Sequence, residues 1–331
     1  MTRAPGVLIG VDVGCTTLSG GLVTPDGHVL STIQAPTNLG SGTAADTILG
    51  VVVDLHADAQ ARGLALEATG VGVPGLVDTE RGMLLHSAGS QVADLHRVPL
   101  AESISAKTGV PTFVDNDVNA LALGEWTFGL ARGAASCVVL AIGSALGAGL
   151  IVDGRLVRGK SGFAGEFGHI PIDFDGPSCN CGGRGCLGLY VGGEYLAAEA
   201  RERVGREPSS LLALAGGRID AITAEMLFVA AAGGDALARG MVDRACRALG
   251  AGLAIAVNGL NPDVVVVTGG VVKSLMSRQD EIIGRVGEYA LADALAGTPI
   301  HFAPGYKNQT VRGGAALVLY ERARRAAGAS R

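Results

Sequence analysis

Aromatic residues make up only 4% of this 331-residue chain, and charged residues only 17%. Its 48% hydrophobic content therefore comes largely from Ala, Val and Leu, accompanied by 52 glycines, a composition suited to β-strands separated by glycine turns and to small-residue helices. A basic excess is missing as well. The net charge of -5 leaves nothing to neutralise a phosphate backbone, which argues against nucleic acid as a direct ligand. With the first apolar strand beginning at Val7, no helix-turn-helix is expected. That opening apolar run is short and meets Asp12, so no signal peptide is expected, and a cytoplasmic location is. The uncharged stretch 133–152 is about long enough to span a bilayer. Its Gly143, Gly147 and Gly149, with Ser144, break it into two short strands and a turn, so no membrane partner is expected. Six cysteines in a large chain of this expected location are thiols or metal ligands rather than a disulfide framework.

What is present is a duplicated plan. A strand at 7–12, a small-residue turn through Gly14, Cys15, Thr16 and Thr17, a strand at 19–23, the turn Pro25-Asp26-Gly27 and a strand from His28 form a meander. The chain repeats it from Cys137: a strand to Ile142, the turn Gly143-Ser144-Ala145, a strand at 148–152, the turn Asp153-Gly154 and a strand at 155–157. Two copies imply two similar domains. Between them lie an amphipathic helix at 43–62, a buried strand ending in Val71-Gly72-Val73-Pro74-Gly75, and a strand at 112–114. Strands alternating with helices indicate an α/β layer structure. Later come helices from Gly193, Thr223 and Asp235, a run of four valines at 264–267 suited to a strand covered on both faces, and a final helix at about 312–326. The expected domains are 1–118, with a C-terminal helix at about 310–331 packing back, and 119–309. No linker rich in Pro or Ser separates them, which points to a compact hinge.

Each hairpin turn can bring the backbone N–H groups of small residues such as Gly14 and Gly143 around an anionic oxygen, with Thr16, Thr17 and Ser144 adding hydroxyls. Asp12 faces the first turn and could hold Mg²⁺. Taken singly, these are equally well tight β-hairpins. Their duplication, with a third turn at Gly269-Gly270 after the valine strand, favours nucleotide phosphates.

Asp115-Asn116-Asp117-Val118-Asn119 sits at a strand-to-helix junction, where one such side chain would serve as an N-cap. Three in a row exceed that need. A carboxylate aimed at a bound hydroxyl is what a phosphoryl acceptor requires. His169, Cys179, Cys181 and Cys186 follow an H-x9-C-x-C-x4-C spacing among glycines, the ligand set of a closed, structural Zn²⁺ site within the loop 169–186. Cys15, Cys137 and Cys246 lack such company and read as small core residues. Glu166, three residues before His169, is by default a surface glutamate and alternatively a partner for substrate hydroxyls.

In combination these motifs resemble the ROK family (repressors, open reading frames and kinases) of the actin-like ATPase superfamily, over nearly the whole chain. Gly10-Val11-Asp12-Val13-Gly14 is similar to its first phosphate motif, Gly143-Ser144-Ala145 to its second, and Val267-Thr268-Gly269-Gly270 to its adenosine motif. The segments 72–78 and 116–120 resemble its sugar-site segments, and 165–186 its glutamate, histidine and zinc signature. The resemblance implies two ribonuclease H-like α/β domains with a cleft, ATP with Mg²⁺ mainly on the second domain, a structural Zn²⁺, and a homodimer or homotetramer. It implies Asp117 as general base, with Gly75, Asn116, Glu166 and His169 contacting the sugar and His169 also binding zinc.

The chain departs from the family at Cys15 and at Ser144-Ala145, which add bulk near the phosphates. It departs again at Gly188, where family kinases carry a glutamate near the anomeric end, and around His86-Ser87-Ala88-Gly89, where an Asn is usual. The expected activity is ATP-dependent phosphorylation of a primary, 6-OH-like hydroxyl on a hexose or on a hexose-like polyol, such as a cyclitol or an anomerically altered sugar. The alternative is a non-catalytic sugar sensor of the same family. A polyphosphate donor finds no Lys/Arg cluster to support it.

Overall fold

A computed structural model describes residues 4–14, 16–37, 42–87, 90–305 and 307–329. Cys15 and positions 88 and 89, among the departures noted above, lie outside the described residues. The chain forms two compact units. The first comprises Met1–Ala134, Gly149–Ala164 and Tyr306–Arg331, and the second Ala135–Ala148 and Gly165–Gly305. The boundary drawn from the sequence at 118/119 falls inside the Asp117–Phe128 helix, which belongs to the first unit as a whole. That helix buries Ala120, Ala122 and Leu123 and packs on the first unit's sheet and C-terminal helix, so it cannot be split between domains. Gly149 returns the chain to the same unit, its Cα lying so close to Ala122 that a Cβ would collide with it.

The strands are β1 (Gly6–Val13), β2 (Thr17–Val23), β3 (Val29–Pro36), β4 (Ala65–Val73), β5 (Gly75–Asp78), β6 (Met83–Ser87), β7 (Thr112–Asn116), β8 (Cys137–Ile142), β9 (Leu146–Val152), β10 (Arg155–Leu156), β11 (Val264–Thr268) and β12 (Ile300–Phe302). One five-stranded sheet has the order β3-β2-β1-β4-β7 and the other β10-β9-β8-β11-β12, the chain leaving the second unit partway along β9. Both sheets follow one plan, an antiparallel meander with two parallel strands added beside its first strand. The uncharged stretch 133–152 is thus largely the β8–β9 hairpin, and among the described residues no helix is long and apolar enough to cross a membrane.

Burial explains the strands. All five residues of β11 are buried, as its valine run requires, whereas β3 alternates between partly buried and exposed residues, as suits an edge strand. On one face of the first sheet, Ile48, Val52 and Leu55 of the Ala44–Ala61 helix join Val7, Ile9 and Val11 in the core. That helix starts with a capping box: the Thr43 hydroxyl accepts from the Asp46 amide while the Asp46 carboxylate accepts from the Thr43 amide. On the opposite face, the C-terminal helix Lys307–Ala329 lies against bare backbone. A Cβ on Gly10 would overlap the Val311 carbonyl, and one on Gly70 the Gly314 carbonyl. Only glycines allow an approach this close.

Candidate active site and metal centre

In the first unit, β1, β4 and β7 run side by side with Asp12 in register with Gly72, and Gly72 with Asp115. The chain then turns from β7 into the Asp117–Phe128 helix, and the three polar residues at the junction divide the labour. Asp115 is 2% exposed and fully engaged: its Oδ1 accepts from the Asn116 amide at 2.7 Å and from Asn119 Nδ2 at 3.1 Å. Its Oδ2 accepts from Arg158 Nε at 2.8 Å and Nη2 at 2.6 Å. Asn116 is the N-cap. Its Oδ1 accepts from the Val118 and Asn119 amides at 2.9 and 3.1 Å, while its Nδ2 donates to the Gly75 carbonyl at 3.2 Å.

Asp117 is the first residue of the helix. It is partly exposed, and its Oδ1 accepts from the Val118 amide at 3.0 Å. Its backbone sits over β4, where a Cβ on Gly72 would come 3.0 Å from the Asp117 Cα. Gly75 adopts φ +120°, a conformation open to glycine, and this presents its carbonyl to Asn116. Asp12 sits at the end of β1, where burial pushes its carboxyl up to about 6 and a hydrogen bond with the Thr310 side chain offsets this only in part.

The β1–β2 turn is closed by the Gly14 amide, which donates to the Thr17 carbonyl at 3.1 Å, and Thr16 and Thr17 are exposed beside it. Thr37 clamps this turn from β3's end, its hydroxyl donating to the Gly14 carbonyl at 2.6 Å. The β8–β9 turn is built the same way: the Gly143 amide donates to the Ala145 carbonyl at 2.9 Å, with Ser144 exposed. The amides of Gly14 and Gly143 are therefore spent inside their own turns.

In the second unit three segments converge. The Gly143 and Ser144 carbonyls accept from the Gly193 and Glu194 amides at 2.9 and 3.0 Å, tying the β8–β9 turn to the Gly193–Val204 helix. Gly269 follows β11 with φ +111° and lies so close to β8 that a Cβ would approach the Ile142 carbonyl to 2.5 Å. Gly270, next to it, is exposed and faces open space. Together Gly143, Ser144, Glu194, Arg201, Thr223 and Gly270 border a cavity of about 370 Å³. Arg201 is held on its wall by the Ile222 carbonyl, at 3.1 Å from Nε and 2.9 Å from Nη2, and by Glu194 at 2.9 Å.

The same unit gathers His169, Cys179, Cys181 and Cys186, whose donor atoms all lie within 4.8 Å of one another. His169 Nδ1 is 3.6 Å from Cys179 Sγ, and the Cys181 and Cys186 sulfurs are 3.7 Å apart. A tetrahedron with Zn–S bonds of about 2.3 Å has edges of about 3.8 Å, so the donor set fits a Zn²⁺ ion. Burial, reinforced by the neighbouring thiols, pushes the Cys186 thiol up to about 12. Since Nδ1 faces the sulfurs, the other ring nitrogen of His169 points elsewhere: Nε2 lies 4.0 Å from Glu166 Oε2. Gly188 is buried directly beneath this turn, and a Cβ there would come 3.0 Å from the Gly168 carbonyl. Cys137 and Cys246 are buried in the core.

The ROK family pattern matches residues 8–321. The chain belongs to the ROK family. Over 322 residues it is 33% identical to a glucokinase of Thermotoga maritima, covering 94% of this chain and 96% of that one. A ROK family glucokinase from Streptomyces griseus, solved in complex with glucose and AMPPNP, shares the fold with a TM-score of 0.77 at 31% identity, over 93% of this chain and 98% of the other. ROK members also include regulators: the DNA-binding transcriptional repressor Mlc of Escherichia coli is 30% identical over 256 residues, 76% of this chain and 60% of that one. The fold is the actin-like ATPase fold of the ROK glucokinases.

One part of the site escaped the sequence reading. Arg158 donates from Nη2 to Glu321 Oε1 at 2.7 Å while holding Asp115, so a single guanidinium bridges two buried carboxylates. Nothing in the local sequence around Arg158 signals this, because its partners are 43 and 163 residues away.

Proposed function

We propose that this ROK protein is an ATP-dependent sugar kinase that phosphorylates a primary hydroxyl of a hexose or hexose-like polyol. The observation that carries the reading is the division of labour at 115–117. Asp115 is bound up in structure, Asn116 caps the helix and pins Gly75, and Asp117 sits at the mouth of its helix in the position suited to a general base. Phosphoryl transfer asks the protein mostly to position groups and to stabilise charge, with a carboxylate taking the proton of the acceptor hydroxyl. Asp117 takes that proton on a carboxylate oxygen. In the first unit Asn116 and Gly75 are the further candidates for contact with acceptor hydroxyls; in the second, Glu166 and the outward nitrogen of His169 are candidates of the same kind. The glucokinase relatives support both the sugar and the nucleotide.

In the second unit the nucleotide's phosphates lie against the turns at 143–145 and 269–270, where Ser144 contributes a hydroxyl, and its nucleoside occupies the 370 Å³ cavity; in the first unit Thr16 and Thr17 are the phosphate-binding candidates. Mg²⁺, when bound, neutralises phosphate charge. Asp12 is the residue that would hold it, a buried carboxyl raised to about 6 whose ionised form gains from a cation. Zn²⁺ would be held by His169 Nδ1 and the three thiolates, fixing the ring so that Nε2 faces outward beside Glu166. The protein acts as a homodimer or homotetramer in the cytoplasm.

Gly188 sharpens the acceptor. With no carboxylate at the position where family kinases place one, the anomeric end is unrecognised by charge, so a cyclitol or an anomerically substituted sugar is preferred to free glucose. A pocket built around hydroxyls discriminates by the buried partners it leaves unpaired. The deciding assay is ADP release with Mg-ATP against glucose, other hexoses, N-acetylhexosamines and hexose-like cyclitols, with Asp117→Asn as control. Acceptor-dependent turnover lost in Asp117→Asn supports the kinase. Absence of both turnover and ATP binding supports the second reading, a sugar-sensing regulator, which the Mlc likeness favours.

A further inference from the structure

We infer that Arg158 is a positioning residue for Asp117: through Asp115 it sets the first turn of the Asp117–Phe128 helix. This rests on the kinase reading for its functional consequence. The chain of contacts is continuous within the first unit. Arg158 grips one oxygen of Asp115 with two N–H groups, leaving the other to accept from the Asn116 amide and from Asn119 Nδ2. Both donors belong to the turn that carries Asp117. The Asn116 side chain then caps the same turn and reaches Gly75. Three of the residues proposed to act on the acceptor side, Asn116, Asp117 and Gly75, thus lie on or touch the turn that Asp115 ties to a side chain just beyond the β9–β10 hairpin.

The anchoring of Arg158 itself is over-determined. Its side chain is 18% exposed and its partners Asp115 and Glu321 are 2% and 5% exposed. Its guanidinium carbon lies 5.7 Å from the Tyr320 ring centroid, and the Tyr320 hydroxyl accepts from the Leu156 amide at 3.0 Å. A planar fork is needed to serve two carboxylates and a ring face at once, which a lysine cannot do. The Arg158 carbonyl also accepts from the Ala164 amide at 3.1 Å, closing the loop that precedes Glu166 in the chain. A surface ion pair would carry little weight. This pair is buried, and removing one partner leaves an uncompensated charge.

Glu321 supplies the control. It is the other carboxylate on the same guanidinium, but it belongs to the C-terminal helix and contacts none of residues 115–119 among the described hydrogen bonds. Arg158→Met would strand two buried carboxylates and compromise folding, so Arg158→Lys is used beside Asp115→Asn and Glu321→Gln. Each is measured for melting temperature, for kcat and KM, and for hydrogen exchange of the Asn116, Val118 and Asn119 amides.

Arg158→Lys and Asp115→Asn are expected to lower kcat on the order of 10²-fold, the scale of a catalytic group displaced by about 1 Å. KM for ATP should stay within about twofold, since the lost interaction acts on the reacting centre. The three amides should exchange faster in both variants. Glu321→Gln, at an equal loss of melting temperature, should leave those amides protected and kcat within about threefold. The inference is overturned if kcat falls in all three variants in proportion to lost stability, or if the amides stay protected in Arg158→Lys. Should the unmodified protein show no turnover with any acceptor, the kinase reading fails by itself, and amide exchange still decides whether Arg158 positions the turn.

Discussion

The Asn116 side-chain amide donates to the Gly75 carbonyl at 3.2 Å, so the residue that caps the Asp117 helix also pins the turn that follows β4. The two halves of its amide do different work. The oxygen ends a helix, a task many residues can perform, and the nitrogen fixes a loop, which only a donor can.

Asn116→Asp separates them. An aspartate caps as well as asparagine, so the cap's own contribution should change by less than about 1 kcal/mol. The donor to Gly75 is lost and two oxygens then face each other, a penalty of about 1–3 kcal/mol for the unmade bond. Acceptor KM should rise by roughly tenfold or more, every 1.4 kcal/mol being a factor of ten, while KM for ATP is unchanged. Unaltered acceptor KM would show that Gly75 holds its place without Asn116.

Asp12 gives a pH dependence. Its folded carboxyl is raised to about 6 from 3.8 because burial disfavours the charged form. The unfolded chain then loses its proton first, so stability falls as pH rises from about 4 to about 6 and stays lower above that. The gap corresponds to roughly 3 kcal/mol as an upper figure. Asp12→Asn should therefore melt higher than the parent at pH 8 in the absence of nucleotide and Mg²⁺, with the gain vanishing near pH 4, while Mg-ATP turnover is lost. Paired thermal melts across pH test this, and a pH-independent difference would contradict it.

The fold was legible in the sequence where the signal was local and not where it was non-local. The duplicated meander was visible because each turn is written in neighbouring residues, such as Gly14 to Thr17 and Gly143 to Ala145. The metal cluster was visible because four ligand types at short spacing have few other uses. By contrast, Asp115, Asn116 and Asp117 could not be told apart from their own neighbourhood. What makes Asp115 structural is Arg158, which it shares with Glu321, and both are brought in by the tertiary fold. Gly72 is similar: its need for a bare Cα comes from Asp117 packing 3.0 Å from where a Cβ would be. The domain boundary was misplaced for the same reason, since the Asp117–Phe128 helix is assigned by what it packs against.

Cys181→Ser tests the metal centre. Purified parent protein should carry about one zinc per chain and the variant close to none, as expected when one of four ligands is lost from a closed site. The melting temperature should drop by more than about 5 °C, given that 1 kcal/mol shifts it by about 2–4 °C in domains of this size. A chelator should reproduce the drop in the parent and leave the variant unaffected. Equal melting with and without chelator would remove zinc from the account.

Gly269→Ala addresses the nucleotide. At φ +111° an alanine is strained, and its Cβ would press to 2.5 Å on the Ile142 carbonyl. The turn must shift away from β8, and KM for ATP should rise at least tenfold, about 1.4 kcal/mol, with acceptor KM little changed. Calorimetric titration of an ATP analogue gives the same comparison without turnover. Gly270→Ala, where nothing lies within 4 Å of the new Cβ, should be tolerated by the fold and sets the baseline.

The C-terminal helix also imposes an order on synthesis. The bare backbone at Gly10 and Gly70 is made for Val311 and Gly314, residues translated some three hundred codons after the first of these strands. Chains normally fold domain by domain as they emerge. Here the first-made unit waits for the last-made helix, while the second unit, complete by Gly305, has its whole sequence available sooner. A nascent chain of this protein should mature from its middle outward, and a premature stop before residue 311 would leave one face of the earliest sheet permanently uncovered.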